Sequence, residues 1–278
     1  RAIRRGNLAD IKRFLDEGLD VDAVGGRYHG TLLLESCRFQ NTRVAETLLE
    51  HGASVDISGG GSWTPLHHAC DGRRDLPELA RKLIRHGADI DPIEHHGRTP
   101  LHFACRKGSA RTALTLLEAG ASSNVADLDG RTPLHLAAAS PSTAGSGDGN
   151  VVRILLDFGA DVSLRDREME TPLHKATRAR QYVIMSLFVK AGADPNALNC
   201  WGQQARTLAP GYKMKPSRGS GGSAGAADAN GAHLVDEQAC ASCSAKRGRH
   251  YYFCRSEILE GIPKSMALGP DGRSIQKS

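Results

Sequence analysis

The sequence predicts an all-α repeat solenoid, a stack of helix-turn-helix units, followed by a flexible tail. Three observations lead to this fold class. A four-residue motif recurs at intervals close to 33 residues, a Gly-Ala pair follows each copy, and aromatic residues make up only 5% of the 278 residues. Regular periods of this length are typical of units that bury their apolar faces by stacking on their neighbours.

The motif Thr-Pro-Leu-His opens each unit, and the Gly-Ala pair closes it. The motif threonines, with spacings of 35, 33 and 39 residues, are Thr64, Thr99, Thr132 and Thr171. The closing glycines, each 12 residues before the next opening position, are Gly87, Gly120, Gly159 and Gly192. Differences in unit length therefore fall between the motif and the closing pair.

Degenerate units flank the four intact ones. Residues 31–34 (TLLL) lie 33 residues before Thr64 without Pro or His, and Gly18 closes a truncated unit that starts near residue 2. Residues 204–209 stand where a seventh unit would open and also lack Pro and His. We therefore expect a repeat domain over residues 1–210, with a partial cap at each end and five full units from about residues 31, 64, 99, 132 and 171.

Each unit carries the signals of two short helices. Threonine is a favoured N-cap and proline is tolerated at the first helical position, so the motif predicts the start of a first helix. Apolar spacing such as Val152, Leu155 and Leu156 predicts a second helix, and the glycine after it favours a left-handed C-cap. Each motif histidine lies beside its own capping threonine, which favours a structural hydrogen-bonding role over a catalytic one.

These residues together resemble the ankyrin repeat, whose hallmark is Thr-Pro-Leu-His-x-Ala at a 33-residue period. The resemblance covers residues 1–210, about three quarters of the chain. It implies a curved, ankyrin-like stack in which a protein partner meets the hairpin tips and the concave face of the first helices. No Walker-type loop, Gly-x-Ser-x-Gly or His-Glu-x-x-His motif occurs in the sequence. We therefore expect a scaffold or adaptor rather than an enzyme, with a monomeric repeat domain and no cofactor in it.

Charge and composition restrict the partners. The net charge is +5, but residues 1–210 hold 26 basic and 25 acidic side chains, which argues against a nucleic-acid partner for this domain. No run of eighteen apolar residues occurs, so no membrane span is expected. Seven cysteines at ordinary density favour a reducing, intracellular compartment, cytoplasmic or nuclear. The first residue is Arg1 rather than Met, which indicates a fragment or a processed chain.

Candidate partner-binding residues come from the hairpin tips, from the position after the motif histidine and from basic residues near the ends of the first helices. They are Trp63, His68, Glu94, His95, His96, Phe103, Arg106, Lys107, Asp129, Leu136, Arg167, Lys175, Arg178 and Trp201. The position after the histidine changes chemistry from unit to unit, as a recognition surface would. Two alternatives stay open: the tryptophans pack between adjacent hairpins, and the basic residues are solvated helix ends.

Two further features of the repeats are their insertions and a set of cysteines at one repeat position. Insertions fall near residues 71–77 and within residues 140–149. The second is rich in Pro, Ser and Gly, which predicts a flexible loop between the two helices of its unit, either a tolerated loop or a site of partner contact or modification. Cys37, Cys70 and Cys105 share one phase of the repeat, which predicts a small buried core position.

The tail divides into a Gly/Ser/Ala-rich linker over residues 211–239 and a cysteine-bearing segment over residues 240–278. Cys240, Cys243, His250 and Cys254 have a spacing that could complete a tetrahedral structural zinc site. The alternative is a metal-free tail with free thiols. A zinc-bearing tail would support a second hypothesis, a nucleic-acid-associated regulator.

A third hypothesis is a substrate adaptor of a ubiquitin ligase. Some ankyrin proteins end in a suppressor-of-cytokine-signalling box, which the tail resembles in part. Cys254 and Ile258 fit the elongin-binding pattern, but His250 occupies the position of its leucine anchor.

Overall fold

The computed structural model describes residues 7–25, 30–140 and 149–208. Those ranges contain eleven α-helices and two short 3-10 helices. Their only β-pairing consists of two isolated bridges, Gly25 with Gly30 and Leu198 with Gln204. The predicted all-α repeat solenoid is confirmed.

Helix α1 spans Leu8–Asp16. Five helix pairs follow, each forming one unit: α2 (Leu32–Arg38) with α3 (Thr42–Glu50), α4 (Pro65–Cys70) with α5 (Pro77–Arg85), α6 (Pro100–Lys107) with α7 (Ala110–Glu118), α8 (Pro133–Ala139) with α9 (Asn150–Asp157), and α10 (Pro172–Arg178) with α11 (Tyr182–Lys190). One 3-10 helix, Gly60–Ser62, precedes α4, and the other, Ala205–Leu208, packs against α10.

The sequence sets both ends of these helices. Thr99 has extended backbone (φ −88°, ψ 165°) at the N-cap of α6, and Pro100 occupies a first-turn position whose N–H would lack a helical partner. Beyond the second helix, Gly87 has φ +90°. A Cβ at Gly87 would meet no atom within 4 Å, so backbone conformation rather than crowding calls for glycine there.

Neighbouring units stack helix on helix. The first helices pack in the order α2, α4, α6, α8, α10, and the second helices in the order α1, α3, α5, α7, α9, α11. The motif leucines lie inside the stack at 0–1% exposure: Leu66, Leu101, Leu134 and Leu173. Each contributes about 1.5–3 kcal/mol through burial. Because each unit supplies part of its neighbour's core, the first helices and the hairpins between units are held in a fixed relative order.

Candidate functional site

The motif histidines join neighbouring units. In the first intact unit, the Thr64 N–H donates to His67 Nδ1 at 3.2 Å, and His67 Nε2 lies 3.0 Å from the Arg98 carbonyl oxygen, which belongs to the next hairpin. An amide N–H can only donate and a carbonyl can only accept, so Nδ1 is bare and Nε2 carries the proton. The same pattern recurs at His102, His135 and His174.

These rings are buried in the neutral state. Burial lowers the pKa of each of the four motif histidines, and that of His102 falls to about 4. The predicted structural role of the motif histidines is confirmed. They are occupied in holding units together, so the residues that contact a partner must be sought elsewhere on the surface.

From the second intact unit onward, the hairpin before each unit is shaped by a side chain five residues ahead of the position that opens the unit. Asp127 Oδ1 accepts the N–H groups of Asp129 at 2.9 Å and Arg131 at 2.8 Å. The same two bonds form at the equivalent positions, namely Glu94, Asp166 and Asn199. This role was not predicted, although a carboxylate or amide recurs in the sequence at a fixed distance before each of these units.

Adjacent hairpin tips are joined by backbone hydrogen bonds, which we call the tip ladder. Its four bonds run from His95 N to Gly61 O (3.1 Å), Leu128 N to His96 O (2.8 Å), Arg167 N to Asp129 O (3.0 Å) and Cys200 N to Glu168 O (3.0 Å). The tips therefore form one continuous edge. Large apolar side chains are exposed along it: Ile93, Leu128, Met169, Leu198 and Trp201.

A cavity of about 320 Å³ lies between α2 and the hairpin that leads into α4. We call it the Trp63 cavity; its lining residues are Leu34, Arg38, Gly60, Trp63, His68, Asp71 and Gly72. The Trp63 ring lies between two others, with its centroid 4.8 Å from that of His68 and 4.6 Å from that of Phe103. Trp63 thus packs against its neighbours and also forms one wall of the cavity, while its part in partner binding stays a prediction.

Arg38 and Asp71 are the charged side chains that line the Trp63 cavity, and together with their ion-pair partners they form a slightly basic rim. Asp71 lies 2.7 Å from Arg106 Nη2 and 3.4 Å from Lys107 Nζ, and Arg38 Nη1 lies 3.3 Å from Glu35 Oε1. These three cations face two carboxylates. Burial, together with the nearby Arg38 charge, lowers the pKa of His68 to about 4, so His68 presents a neutral ring at pH 7.

Leu34, Arg38 and Asp71 were absent from the predicted site. A charge pattern in the sequence could have identified Arg38 and Asp71. The seventh residue after each opening threonine is in turn Arg38, Asp71, Arg106, Ala139 and Arg178. The sign alternates over the first three units, as expected for side chains that pair between stacked neighbours.

Two predicted contact residues are buried. Phe103 is 1% exposed, beneath Trp63 and with the Arg106 guanidinium 5.0 Å from its ring centroid. Glu94 is 3% exposed because its carboxylate turns inward to accept backbone N–H groups of its own hairpin. The prediction that Phe103 and Glu94 offer their side chains to a partner is therefore wrong.

Lys175 is also withdrawn from the surface. Its side chain is 13% exposed, and Nζ lies 2.7 Å from Asp166 Oδ2, 2.7 Å from Glu170 Oε2 and 3.1 Å from Glu168 Oε2. Arg178 pairs with Glu170 as well, with its guanidinium 5.7 Å from the Trp201 ring centroid. Lys175 and Arg178 are thus paired with carboxylates of the chain itself, which corrects the interpretation of Lys175 as a contact residue.

The remaining predicted contact residues reach the surface at separate places. His95, His96, Arg167 and Trp201 are exposed at tips, whereas Asp129 and Leu136 are half-buried. Asp129 pairs with Arg131 at 3.2 Å, and Trp201 is 56% exposed. Trp63 and His68 line the Trp63 cavity, and Arg106 and Lys107 pair with Asp71 at its rim. Leu136 lies on α8, and the other residues lie along the tip ladder.

The cysteines follow the predicted division. Cys37, Cys70 and Cys105 are buried, and burial raises the pKa of each thiol, that of Cys37 to about 12. Cys200 is exposed. Cys240, Cys243, His250 and Cys254, and the segment that resembles an elongin-binding box, lie outside the described residues. So do residues 141–148 of the second insertion. Along the described ranges, no helix is long and apolar enough to cross a bilayer.

Comparison with known proteins bears on both fold and family. A family model described as ankyrin repeats (3 copies) matches residues 1–92, 73–148 and 123–199. Among solved structures, the ankyrin repeat domain of Bcl-3, described as a unique member of the IkappaB protein family, superposes with a TM-score of 0.61 and 27% identity. That match covers 75% of this chain and 91% of the other. No curated protein sequence matches the chain.

The family match agrees with the capped helix pairs, the bridging histidines and the tip ladder. Ankyrin repeats are protein-protein interaction modules and are generally non-enzymatic. The chain belongs to the ankyrin-repeat family.

Proposed function

We propose that this chain is a non-enzymatic adaptor or scaffold that holds a protein partner on its hairpin tips and first helices, with the Trp63 cavity as the anchoring point. The cavity supports this proposal because it combines a concave shape, a tryptophan wall and a charged rim. Interface anchors of this kind are commonly aromatic residues and arginines at the edge of a pocket.

The chemistry of the cavity indicates what the partner presents. Leu34, Trp63 and the neutral His68 ring favour an apolar side chain inside, because no charge on these three groups would be desolvated. The rim has one more cation than carboxylates, so an acidic residue next to that apolar side chain would be attracted. The partner segment is therefore an apolar residue flanked by an acidic one.

The tip ladder extends this surface. Exposed apolar side chains along it, such as Leu128 and Trp201, give a partner further area beyond the cavity. Because stacking fixes the tips before any partner arrives, little conformational entropy is lost on binding. A rigid repeat surface can therefore bind a partner without first having to order flexible loops.

The test uses two variants with matched controls. Arg38→Glu reverses the charge of the rim and Trp63→Ala removes one wall, whereas Arg153→Glu and Phe158→Ala make similar changes at exposed positions of α9 and its C-cap. Partners captured by the immobilised full chain are quantified by mass spectrometry, with circular dichroism as the check on folding. We expect each cavity variant to retain a given partner at a level reduced by at least about tenfold, and the controls to retain it as wild type does. Equal retention by all five proteins would reject the cavity as anchor.

A further inference from the structure

The hairpin before α6 gathers two imidazoles and a buried carboxylate at one tip. One ligand atom from each of Glu94, His95 and His96 lies within 4.8 Å of the other two. His95 and His96 are exposed, with ring centroids 3.8 Å apart, and the Glu94 side chain is 0% exposed. Nitrogen and oxygen ligands of this kind suit zinc, copper or nickel better than magnesium or calcium.

The two carboxylate oxygens of Glu94 differ in their hydrogen bonding: one accepts backbone N–H groups, and the other has no well-aligned hydrogen-bond donor. Oε1 accepts the N–H groups of His96 at 3.0 Å and Arg98 at 3.4 Å, which shapes the hairpin. Oε2 is buried without a hydrogen bond of good geometry, and it lies 2.7 Å from His95 Nδ1. A buried carboxylate requires a compensating positive charge.

At two neighbouring tips, the equivalent buried carboxylate is compensated by the permanent positive charge of a basic side chain. Asp127 Oδ2 lies 3.1 Å from Arg98 Nε, and Asp166 Oδ2 lies 2.7 Å from Lys175 Nζ. The group of Asp166, Glu168 and Glu170 is thus already filled by an ammonium group. At Glu94 the neighbouring side chains are instead two imidazoles, which are common metal ligands.

We propose that Glu94, His95 and His96 form a binding site for a divalent transition-metal ion such as Zn²⁺. Glu94 Oε2, His95 Nδ1 and one nitrogen of His96 supply three ligands, and solvent completes the shell, as in open zinc sites. His95 Nδ1 now faces two acceptors, Glu94 Oε2 and the Gly61 oxygen, so it carries the proton. A metal ion bound at Nδ1 takes the place of that proton, and the bound imidazole carries its proton on Nε2. Zinc–nitrogen bonds are about 2.0–2.1 Å, so the exposed His96 ring turns inward.

Zinc titration calorimetry tests this site. The full chain carries Cys240→Ser, Cys243→Ser and Cys254→Ser, so that thiolates of the tail cannot bind the probe. We expect about one equivalent of Zn²⁺ to bind and His96→Gln to weaken binding by at least about tenfold. The main-chain bonds of His96 to Glu94 and Leu128 remain in that variant. His86→Gln, at an exposed histidine that caps α5, is the control and is expected to bind as the parent does.

A second measurement separates metal binding from misfolding. A ligand that binds only the folded state stabilises that state. Zn²⁺ should therefore raise the unfolding temperature of the parent and of His86→Gln, but not that of His96→Gln, which lacks one ligand of the site. The proposal fails if His96→Gln binds Zn²⁺ as tightly as the parent, or if the parent takes up no zinc.

Discussion

Lys175 attaches a hairpin tip to the first helix of its own unit through three carboxylates. Two of these, Asp166 and Glu170, have side chains that are 1% and 0% exposed. Burial by itself would lower the pKa of Lys175, but its bonds to Asp166 and Glu170 outweigh burial and leave the pKa raised. The ammonium group is therefore charged in the folded state and compensates buried negative charge.

Replacing this lysine tests that compensation. We expect Lys175→Met to lower the free energy of unfolding by about 3–5 kcal/mol, because two buried carboxylates lose their cation. Lys107→Met, at a half-exposed pair with Asp71, should lower it by less than about 1 kcal/mol. Urea denaturation followed by circular dichroism compares the two. Similar losses in both variants would contradict the assignment.

The buried surroundings of Lys175 could not be predicted from the residue pattern. Its place after a motif histidine indicated a variable, outward-facing position, and the carboxylates that surround it lie only five to nine residues earlier. The pattern did not reveal that the hairpin folds back over α10, because that depends on Asp166 accepting N–H groups of its own tip. The exposure of Phe103 was misjudged for a related reason, since the covering Trp63 belongs to the preceding unit.

At the level of elements, the first insertion has a structural role. Ser109 at the N-cap of α7 makes no side-chain capping bond. Asp75, from the insertion in the preceding unit, replaces it by accepting the N–H groups of Arg111 at 3.0 Å and Thr112 at 2.9 Å. A carboxylate at a helix N-terminus also interacts favourably with the helix dipole. The inserted residues therefore stabilise the start of the neighbouring unit's second helix.

Removing this cap should have a measurable cost. We expect Asp75→Ala to lower the free energy of unfolding by about 0.5–2 kcal/mol, as other N-cap losses do. Asp157→Ala, at the exposed C-terminal end of α9, serves as the control and is expected to be neutral or slightly stabilising. Thermal and urea unfolding are both suitable. An unchanged midpoint for Asp75→Ala would show that the cap carries no stability.

The first helices were predictable because Thr and Pro specify a helix start locally. Thr31 caps α2 even without the rest of the motif, by accepting the Leu34 N–H at 3.2 Å. The role of Asp75 was not predictable, because its partners lie 36 and 37 residues further along the chain. Local signals thus defined the helices, whereas contacts between units required the structure.

For the whole molecule, the same titrating group recurs in four stacked units. Burial lowers the pKa of His67, His102, His135 and His174, so each is neutral when folded at a pH where the unfolded side chain is protonated. Below the unfolded value of about 6.5, the unfolded chain binds more protons. The stability that these histidines provide is therefore complete above that pH and is lost as the pH falls.

This repetition predicts a steep acid response. We expect the free energy of unfolding to decline from pH 6.5 to pH 5, by up to about 1.4 kcal/mol per pH unit for each buried histidine. His102→Gln keeps a capping-box residue at that position and should show a shallower decline. Urea midpoints at pH 7, 6 and 5 give the slopes for both proteins. A flat profile in the parent would be inconsistent with neutral buried rings.

At this scale the stack of units was predictable from the sequence, whereas the Trp63 cavity was not. The period defines which residues recur, and recurrence identified the helices and the bridging histidines. The Trp63 cavity depends on residues that break the repeat, namely Trp63 and Asp71, which occupy positions filled differently in the other units. Such exceptions form a site only when two neighbouring units are placed side by side.

The tip ladder has a consequence for how this protein can diversify. Its bonds join main-chain nitrogen and oxygen atoms, so they survive replacement of most side chains at the tips. The inward side chains that shape each hairpin, such as Asp127, are constrained, whereas neighbours such as Leu128 are not. Substitutions can therefore accumulate at the outward positions with little loss of folding stability, and the surface that the tips present can change without compensating changes in the core.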